Sequence, residues 1–202
     1  MRTCGAFKVF AVALAISCLC QSVACAQLFG RPRMKPADEL LQKQEPPKTT
    51  PRVLALIAPD KSNVNVIVSI PRQRVYLMVG NEIGIDSPIS SGKAGHETPT
   101  GKFTVLEKDP NHRSSLYGAF CDSKRRIVRA GVSLHIDSAP AGTHFIGAPM
   151  LYFCRLTDSG VGMHIGILPG YPASHGCIRL PAEIAPLIYN NVIIGTPVDV
   201  QP

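Results

Sequence analysis

The sequence predicts a mainly β fold, a β sandwich or partly closed barrel with one short helix near its C-terminal end. The chain of 202 residues contains 18 prolines and 17 glycines, about one residue in six, which disfavours a helical bundle. Short apolar runs are bounded by glycine, proline or aspartate, which is typical of strands joined by turns. Hydrophobic residues make up 45% and charged residues 17% of the chain. This composition allows a packed core and excludes a wholly disordered chain.

The predicted strands begin after Asn63, where valines occupy alternate positions. Gly80-Asn81 predicts a two-residue hairpin, because glycine at the first central position suits a type II′ turn. Pro88 indicates an edge or a bulge in the strand that follows this hairpin. The strands are predicted at 64–70, 74–79, 83–90, 102–107, 116–121, 131–136, 150–156, 162–167 and 198–200.

One helix is predicted after residue 180, directly following the segment that carries the chemistry. Pro181 suits the first helical position, and Ile184, Leu187 and Ile188 share one face. Pro186 lies inside this pattern, where proline removes a helical hydrogen bond. We therefore expect a short helix.

The N-terminal segment has the pattern of a signal peptide. Basic residues precede an apolar stretch at 9–20, and Ala24-Cys25-Ala26 fits a small-x-small cleavage site. We predict that residues 1–26 direct export and that the mature chain starts at Gln27. An alternative is that Cys25 is lipidated. Cleavage removes two basic and no acidic residues, so the net charge falls from +7 to +5.

The mature chain is predicted to consist of a linker and one folded domain. Residues 27–62 are rich in proline, lysine and glutamine and lack sustained apolar periodicity, so they are predicted to form a linker. Residues 63–202 form the predicted domain. No apolar run of 18 residues follows the N-terminal segment, which excludes an internal membrane span.

Three cysteines remain after cleavage of the signal peptide, namely Cys121, Cys154 and Cys177. Disulfides persist in exported proteins. We predict a Cys121–Cys154 disulfide, which leaves Cys177 free. The alternative is that both are small buried hydrophobic residues on adjacent strands.

The residues suited to catalysis concentrate at 163–181, MHIGILPGYPASHGCIRLP. A cysteine nucleophile needs a base, donors for an oxyanion, and exposure. Cys177 follows a glycine in a tight turn, and the loop before that turn is rich in glycine and proline. This loop can double back and bring His164, at the end of a strand, over the thiol. The backbone N–H groups of His175, Gly176 and Cys177 are candidate oxyanion donors.

Two other interpretations of this segment are open from the residues alone. A Cys-Gly turn is often purely structural. His164, His175 and Cys177 could also bind zinc, but their spacing is unusual for a zinc site and a fourth ligand is not evident. We predict no metal and no cofactor.

The segment Ser174-His175-Gly176-Cys177-Ile178-Arg179, with His164 upstream, resembles the signature of the L,D-transpeptidase catalytic domain, the YkuD-type family. Pro99-Thr100-Gly101, within HETPTGKF, resembles a second recurrent segment of that family, a TPTG turn after a strand that ends in SSG. The resemblance extends from about Asn63 to Val200.

The resemblance implies a β-sandwich-like domain that acts on peptidoglycan stem peptides. It implies that Cys177 is the nucleophile and that His164 is the general base and acid. It assigns support of the loop and of the oxyanion to His175, Gly176 and Ser174. Arg179 is expected either to orient the loop or to meet a substrate carboxylate.

The implied reaction expels the terminal D-alanine of a stem tetrapeptide and transfers the acyl group to an amine. The product is a 3–3 cross-link or an attachment to a protein or amino acid, and the sequence leaves the acceptor open. Alternatives are an L,D-carboxypeptidase or endopeptidase that hydrolyses the same acyl-enzyme, and a non-catalytic peptidoglycan-binding module. The expected location is the periplasm or cell envelope, with no nucleic-acid partner.

Two features outside the signatures bear on the substrate. The basic run Lys124-Arg125-Arg126 and the nearby Arg129 favour an anionic substrate, although each charge is also typical of a solvated surface. His96, beside the TPTG turn, Tyr117 and Tyr152 are candidates for lining the cleft, although aromatic residues at strand spacing are usually part of the core.

Overall fold

The computed structural model describes residues 41–202, and these contain thirteen strands and two short helices. The helices are α1 (Pro51–Leu54) and α2 (Ala185–Asn191). The strands are β1 (Lys48–Thr49), β2 (Val64–Ser69), β3 (Arg74–Val79), β4 (Glu82–Pro88), β5 (Gly101–Thr104), β6 (Glu107–Asp109), β7 (Arg113–Cys121), β8 (Ile127–Ser133), β9 (His144–Pro149), β10 (Phe153–Arg155), β11 (Gly162–Ile165), β12 (Ile178–Leu180) and β13 (Pro197–Gln201). The predicted signal peptide and Cys25 lie outside the described residues.

The largest sheet has six strands in the order β1-β4-β3-β2-β13-β5. Its centre is the hairpin of β2 and β3 with β4, and β13 returns to pair in parallel with β2. Gly80 has a φ of +59°, as the predicted type II′ turn requires at its first central position.

A second sheet, in the order β12-β11-β10-β6, packs its apolar side chains against those of the first. Val66 and Leu77 from the first sheet share one buried cluster with Met163 and Ile178 from the second, and α2 adds Ile188. A third sheet, in the order β8-β7-β9, contains most of the long stretch between the two signatures. The prediction of a mainly β sandwich with a short helix after the catalytic segment is confirmed.

Several predicted boundaries differ from those observed. The predicted strand 102–107 is two strands, β5 and β6, because the chain crosses from the first sheet to the second at the buried Val105. The predicted strand 131–136 is β8, which begins earlier, at Ile127, and ends at Ser133. The helix begins at Ala185 rather than Pro181, which places Pro186 in its first turn, where proline removes no helical hydrogen bond.

The segment 41–62, which the sequence assigns to the linker, contains β1 and α1. β1 pairs antiparallel with β4, and α1 buries Val53. The folded part of the chain therefore begins before Asn63. None of the helices in the described residues is long and apolar enough to cross a membrane.

The predicted disulfide is wrong, because Cys121 and Cys154 are both free and buried. Cys121 ends β7 in the third sheet, whereas Cys154 lies in β10 of the second sheet and belongs to the main core cluster. Each thiol packs as a small hydrophobic group in its own sheet.

Thiol titration of the denatured, unreduced mature chain should therefore find three free thiols. The burial of both cysteines in separate sheets keeps their thiols from pairing. A count of one thiol would contradict this arrangement, and peptide mapping would then identify the bridge.

Candidate active site

The predicted catalytic residues lie in or directly beside two parallel strands. In the β11–β12 pair, Met163 lies opposite Ile178 and His164 lies opposite Arg179. Met163 and Ile178 face the core, so the alternation of a strand places His164 and Arg179 on the opposite face. Cys177 directly precedes β12, two residues before Arg179, and the charge of Arg179 acts on both the Cys177 thiol and the His164 imidazole. The register therefore places Arg179 opposite the candidate base, with the candidate nucleophile at the N-terminal end of the same strand.

The hydrogen bonds of His164 fix which ring nitrogen can act as a base. Its Nδ1 lies 2.7 Å from the carbonyl oxygen of Ile165. A carbonyl can only accept, so Nδ1 carries the proton and Nε2 is left with its lone pair. Burial lowers the pKa of His164 to about 4. The imidazole is therefore neutral near pH 7 and can accept a proton at Nε2.

This burial of His164 makes the stability of the fold depend on pH. The pKa is about 4 in the folded chain and 6.5 in the unfolded chain, so between these values only the unfolded chain gains the proton. The contribution of His164 to the free energy of unfolding is fully present above pH 6.5. Roughly 3 kcal/mol of it is lost as the pH falls to 4. Urea unfolding across this range should show the loss in the wild type and a smaller loss in His164→Asn. Equal losses in the two proteins would contradict the buried neutral histidine.

The side chain of Cys177 is partly buried against the backbone of Gly160 and Gly162. Its Sγ donates to the carbonyl oxygen of Gly160 at 3.8 Å. Burial raises the pKa of the Cys177 thiol, while the N–H of Gly162 and the charges of Arg179 and Arg155 oppose that rise. The Cys177 thiol and the His164 imidazole are therefore both neutral at rest.

The turn before Cys177 is held by the hydroxyl of Ser174. Its Oγ donates to the carbonyl oxygen of Cys177 at 2.5 Å and accepts from the N–H of Gly176 at 3.1 Å. Gly176 has a φ of +114°, a conformation that favours glycine. The N–H of Gly176, a predicted oxyanion donor, is thus already engaged. Within residues 41–202, the N–H groups of His175 and Cys177 have no hydrogen-bond partner and can serve an oxyanion.

His175 is held from two sides by aromatic rings. The ring of Tyr117 stacks on it at 4.4 Å, and the ring of His96 meets it edge-on at 4.9 Å. Partial burial lowers the pKa of His175, and the charge of Lys93 lowers it further. His96 and Tyr117, two of the residues that the sequence singled out as lining the cleft, therefore contact the motif histidine. The third, Tyr152, packs against the hydrophobic core and the ring of Tyr189 instead.

The two signature segments are joined by the side chain of Thr98. Its Oγ1 donates to the carbonyl oxygen of Gly176 at 2.8 Å and accepts from the N–H of Gly92 at 2.8 Å. The carbonyl oxygen of Ser91 accepts from Ala173 and Ser174, both at 3.0 Å. The SSG segment and the TPTG turn therefore form the frame of the nucleophile turn.

Replacing Thr98 by valine should damage both the fold and the site. Valine has nearly the same shape, but it leaves a buried N–H and a carbonyl unpaired, which costs about 1–3 kcal/mol of stability. Acylation of Cys177 should slow as well, because the turn loses its tie at Gly176. Thr100→Val, at an exposed position in the same turn, is the matched control. Equal melting temperatures and acylation rates for the two variants would contradict the role of Thr98.

No sequence motif indicated Gln73, whose side chain hydrogen-bonds to the SSG segment of this frame. Its Nε2 donates to Oγ of Ser91 at 2.8 Å, and its Oε1 accepts from the N–H of Ser91 at 3.0 Å. Gln73 is buried and has a φ of +50°. Its position next to the hairpin gave no signal, because the contact with Ser91 depends on tertiary structure.

A cavity of about 670 Å³ lies between the third sheet and the motif turn. Its lining includes His175, Arg179, Arg113 and Arg125. Cys177 and His164 are not among the residues that line it. Within residues 41–202, no three His, Cys, Asp or Glu side chains converge to hold a metal ion.

Comparison with known proteins places residues 63–200 on a family model for the L,D-transpeptidase catalytic domain. The probable L,D-transpeptidase ErfK/SrfK of Escherichia coli strain K12 is 29% identical over 166 residues, covering 81% of this chain and 52% of that protein. The probable L,D-transpeptidase 3 of Mycobacterium tuberculosis is 33% identical over 136 residues, covering 65% of this chain and 42% of that protein. The chain thus spans about half the length of the curated relatives it matches. Among solved structures, an L,D-transpeptidase from Mycobacterium smegmatis aligns with a TM-score of 0.53 and 26% identity, covering 69% of this chain and 59% of that one.

Proposed function

The chain belongs to the L,D-transpeptidase catalytic domain family, and from this membership we propose that it is an exported peptidoglycan L,D-transpeptidase with Cys177 as its nucleophile. The observation that carries the proposal is the parallel pairing of β11, which contains His164, with β12, which Cys177 directly precedes. The proton on Nδ1 of His164 leaves Nε2 available as a base. A non-catalytic binding module would not need this arrangement.

The acylation step uses groups that are neutral at rest. The thiol proton of Cys177 moves to Nε2 of His164 as the sulfur attacks the carbonyl carbon of the third residue of the stem. The developing oxyanion accepts from the N–H groups of His175 and Cys177. The bond to the terminal D-alanine then breaks, and the imidazolium returns its proton to the departing nitrogen. A thioester and free D-alanine result.

The second step reverses these roles on the thioester. An acceptor amine attacks the thioester carbonyl and gives a proton to Nε2 of His164. The carbon–sulfur bond then breaks, and the sulfur of Cys177 recovers the proton from the imidazolium. The new amide joins donor and acceptor, and the enzyme returns to its starting state.

The charge around the cavity supports a substrate with free carboxylates. Arg113, Arg125 and Arg179 line it, while the lining carboxylate Asp137 is paired with Arg129 at 2.5 Å. An excess of guanidinium groups suits a stem peptide with ionised carboxylates. Of the two roles that the resemblance left open for Arg179, contact with a substrate carboxylate is therefore the one we propose.

Mass spectrometry of products tests this function. A purified stem tetrapeptide ending in D-alanine is incubated with the mature chain, with and without an amine acceptor. We expect D-alanine release and a new cross-linked mass when the acceptor is present. Loss of alanine without a cross-linked mass would identify an L,D-carboxypeptidase instead. No change in the substrate would overturn the proposal.

A further inference from the structure

A strap formed by residues 41–49 crosses the domain outside the family-matched segment 63–200. Its end, β1, pairs with β4, where Lys48 lies opposite Asp86. Its middle is held by Arg74, whose Nη1 donates to the carbonyl oxygen of Glu45 at 2.9 Å. The strap is therefore anchored to the first sheet.

The N-terminal part of the strap lies against the loop that connects the candidate base to the nucleophile, residues 166–173, here called the catalytic loop. The N–H of Gln42 donates to the carbonyl oxygen of Pro169 at 2.7 Å. Gly170 has a φ of +96°, and a Cβ added there would lie 2.1 Å from the carbonyl oxygen of Gln42. Glycine at position 170 thus permits a close backbone contact.

The two ends of the catalytic loop are tied to other parts of the domain. The N–H of Gly166 donates to Leu180, and the N–H of Ala173 donates to Ser91, both at 3.0 Å. The middle of the loop, at Pro169 and Gly170, meets the strap instead. The next residue, Tyr171, is held by Oγ of Ser90, which donates to its carbonyl oxygen at 2.8 Å. The strap therefore supplies the contact that holds the loop at Pro169 and Gly170.

The loop in turn packs on Arg179. A Cβ at Gly166 would lie 2.6 Å from the side chain of Arg179, and the carbonyl oxygen of Ile167 accepts from Nη1 of Arg179 at 3.5 Å. Arg179 lies opposite His164 in the strand register and lines the cavity. A displaced loop would therefore release the guanidinium that lies closest in sequence to Cys177.

We propose that Gln42 and Gly170 are positioning residues, through which the strap holds the catalytic loop and so keeps Arg179 beside Cys177. The strap belongs to the catalytic unit although the family match begins after it. The expected effect of this contact on acyl transfer rests on the proposed function. The expected effect of the contact on the reactivity of the Cys177 sulfur is independent of that function.

The alkylation rate of the Cys177 thiol is the readout, because it would not change if Gln42 and Gly170 only stabilised the fold. Arg179 and Arg155 are the cations that lower the thiol pKa, and Arg155 is paired with Glu107 at 2.6 Å. If Arg179 moves away, the thiolate fraction falls and alkylation slows. The pH dependence of alkylation by iodoacetamide, read at Cys177 by peptide mapping, measures this directly.

Four variants of the full chain test the contact. Gly170→Ala introduces the clash, and Gly195→Ala is its control, because Gly195 has a φ of +92° with open space around it. Gln42→Pro removes the N–H donor, and Gln42→Ala keeps it. Thermal melting checks that each variant folds, and Gln42→Pro carries the test if Gly170→Ala does not fold.

We expect alkylation of Cys177 near neutral pH to slow by about threefold in Gly170→Ala and Gln42→Pro, with both controls unchanged. In an Arg179→Ala background, Gly170→Ala should cause no further loss, because the cation it displaces is already gone. Alkylation at the control rate in both test variants would overturn the proposal. If both test variants show the expected slower alkylation but the wild-type chain transfers no acyl group, this inference stands and the proposed function alone is refuted.

Discussion

Cys177→Ala is expected to abolish turnover while the fold stays intact. The substitution removes one sulfur atom at a partly exposed turn, so it deletes the attacking atom and little packing. Loss of a covalent nucleophile lowers turnover on the order of 10⁶-fold. The variant should therefore be inactive in any practical assay, with the melting temperature of the wild type.

A carbapenem provides a second readout for this variant, since the family resemblance implies that such β-lactams acylate the nucleophile. Intact-protein mass spectrometry should show one adduct on the wild type and none on Cys177→Ala. Cys121→Ala is the control, because Cys121 lies in the third sheet and should leave the adduct unchanged. An adduct that forms on Cys177→Ala at a similar rate would contradict the assignment.

His164→Ala is expected to lose far more activity than His175→Ala. General-base catalysis contributes roughly 10²- to 10⁴-fold, and the bond from Nδ1 to Ile165 leaves Nε2 of His164 free for that role. The ring of His175 is stacked on Tyr117 and touches His96, an arrangement that suits support of the turn. The second-order rate of acylation, compared between the two variants, measures the difference.

His164→Asn extends the comparison. Asparagine can still donate to the carbonyl oxygen of Ile165, so it preserves the local hydrogen bond while removing the base. Its acylation rate should be as low as that of His164→Ala. A more severe loss in His175→Ala than in either variant at His164 would reverse the two roles.

Local signals in the sequence were sufficient for the central hairpin and for the nucleophile segment. Alternating valines and Gly80-Asn81 specify β2 and β3 through neighbouring residues alone. By contrast, β12 has only three residues, too few for a period-2 pattern, and it is specified by its pairing with β11. The sequence therefore singled out His164 and Cys177 as candidates but could not place Arg179 opposite His164.

Contacts between distant segments account for the remaining differences. The cysteine count suggested a disulfide, but it contains no information on which sheet each cysteine joins. The polar composition of 41–62 suggested a linker, yet pairing with β4 orders Lys48 and Thr49. Gln73, in the turn between β2 and β3, hydrogen-bonds to Ser91 of the SSG segment, and no sequence motif indicates this contact.

The central claim, that Cys177 carries the acyl group, is tested most directly by trapping the intermediate. The mature chain is mixed with a stem tetrapeptide without an acceptor, quenched in acid, digested and mapped by mass spectrometry. We predict a thioester of the tripeptide acyl group on the peptide that contains Cys177, removable by hydroxylamine. Release of D-alanine with the acyl group on another residue, or with Cys177 unmodified at every quench time, would contradict the account.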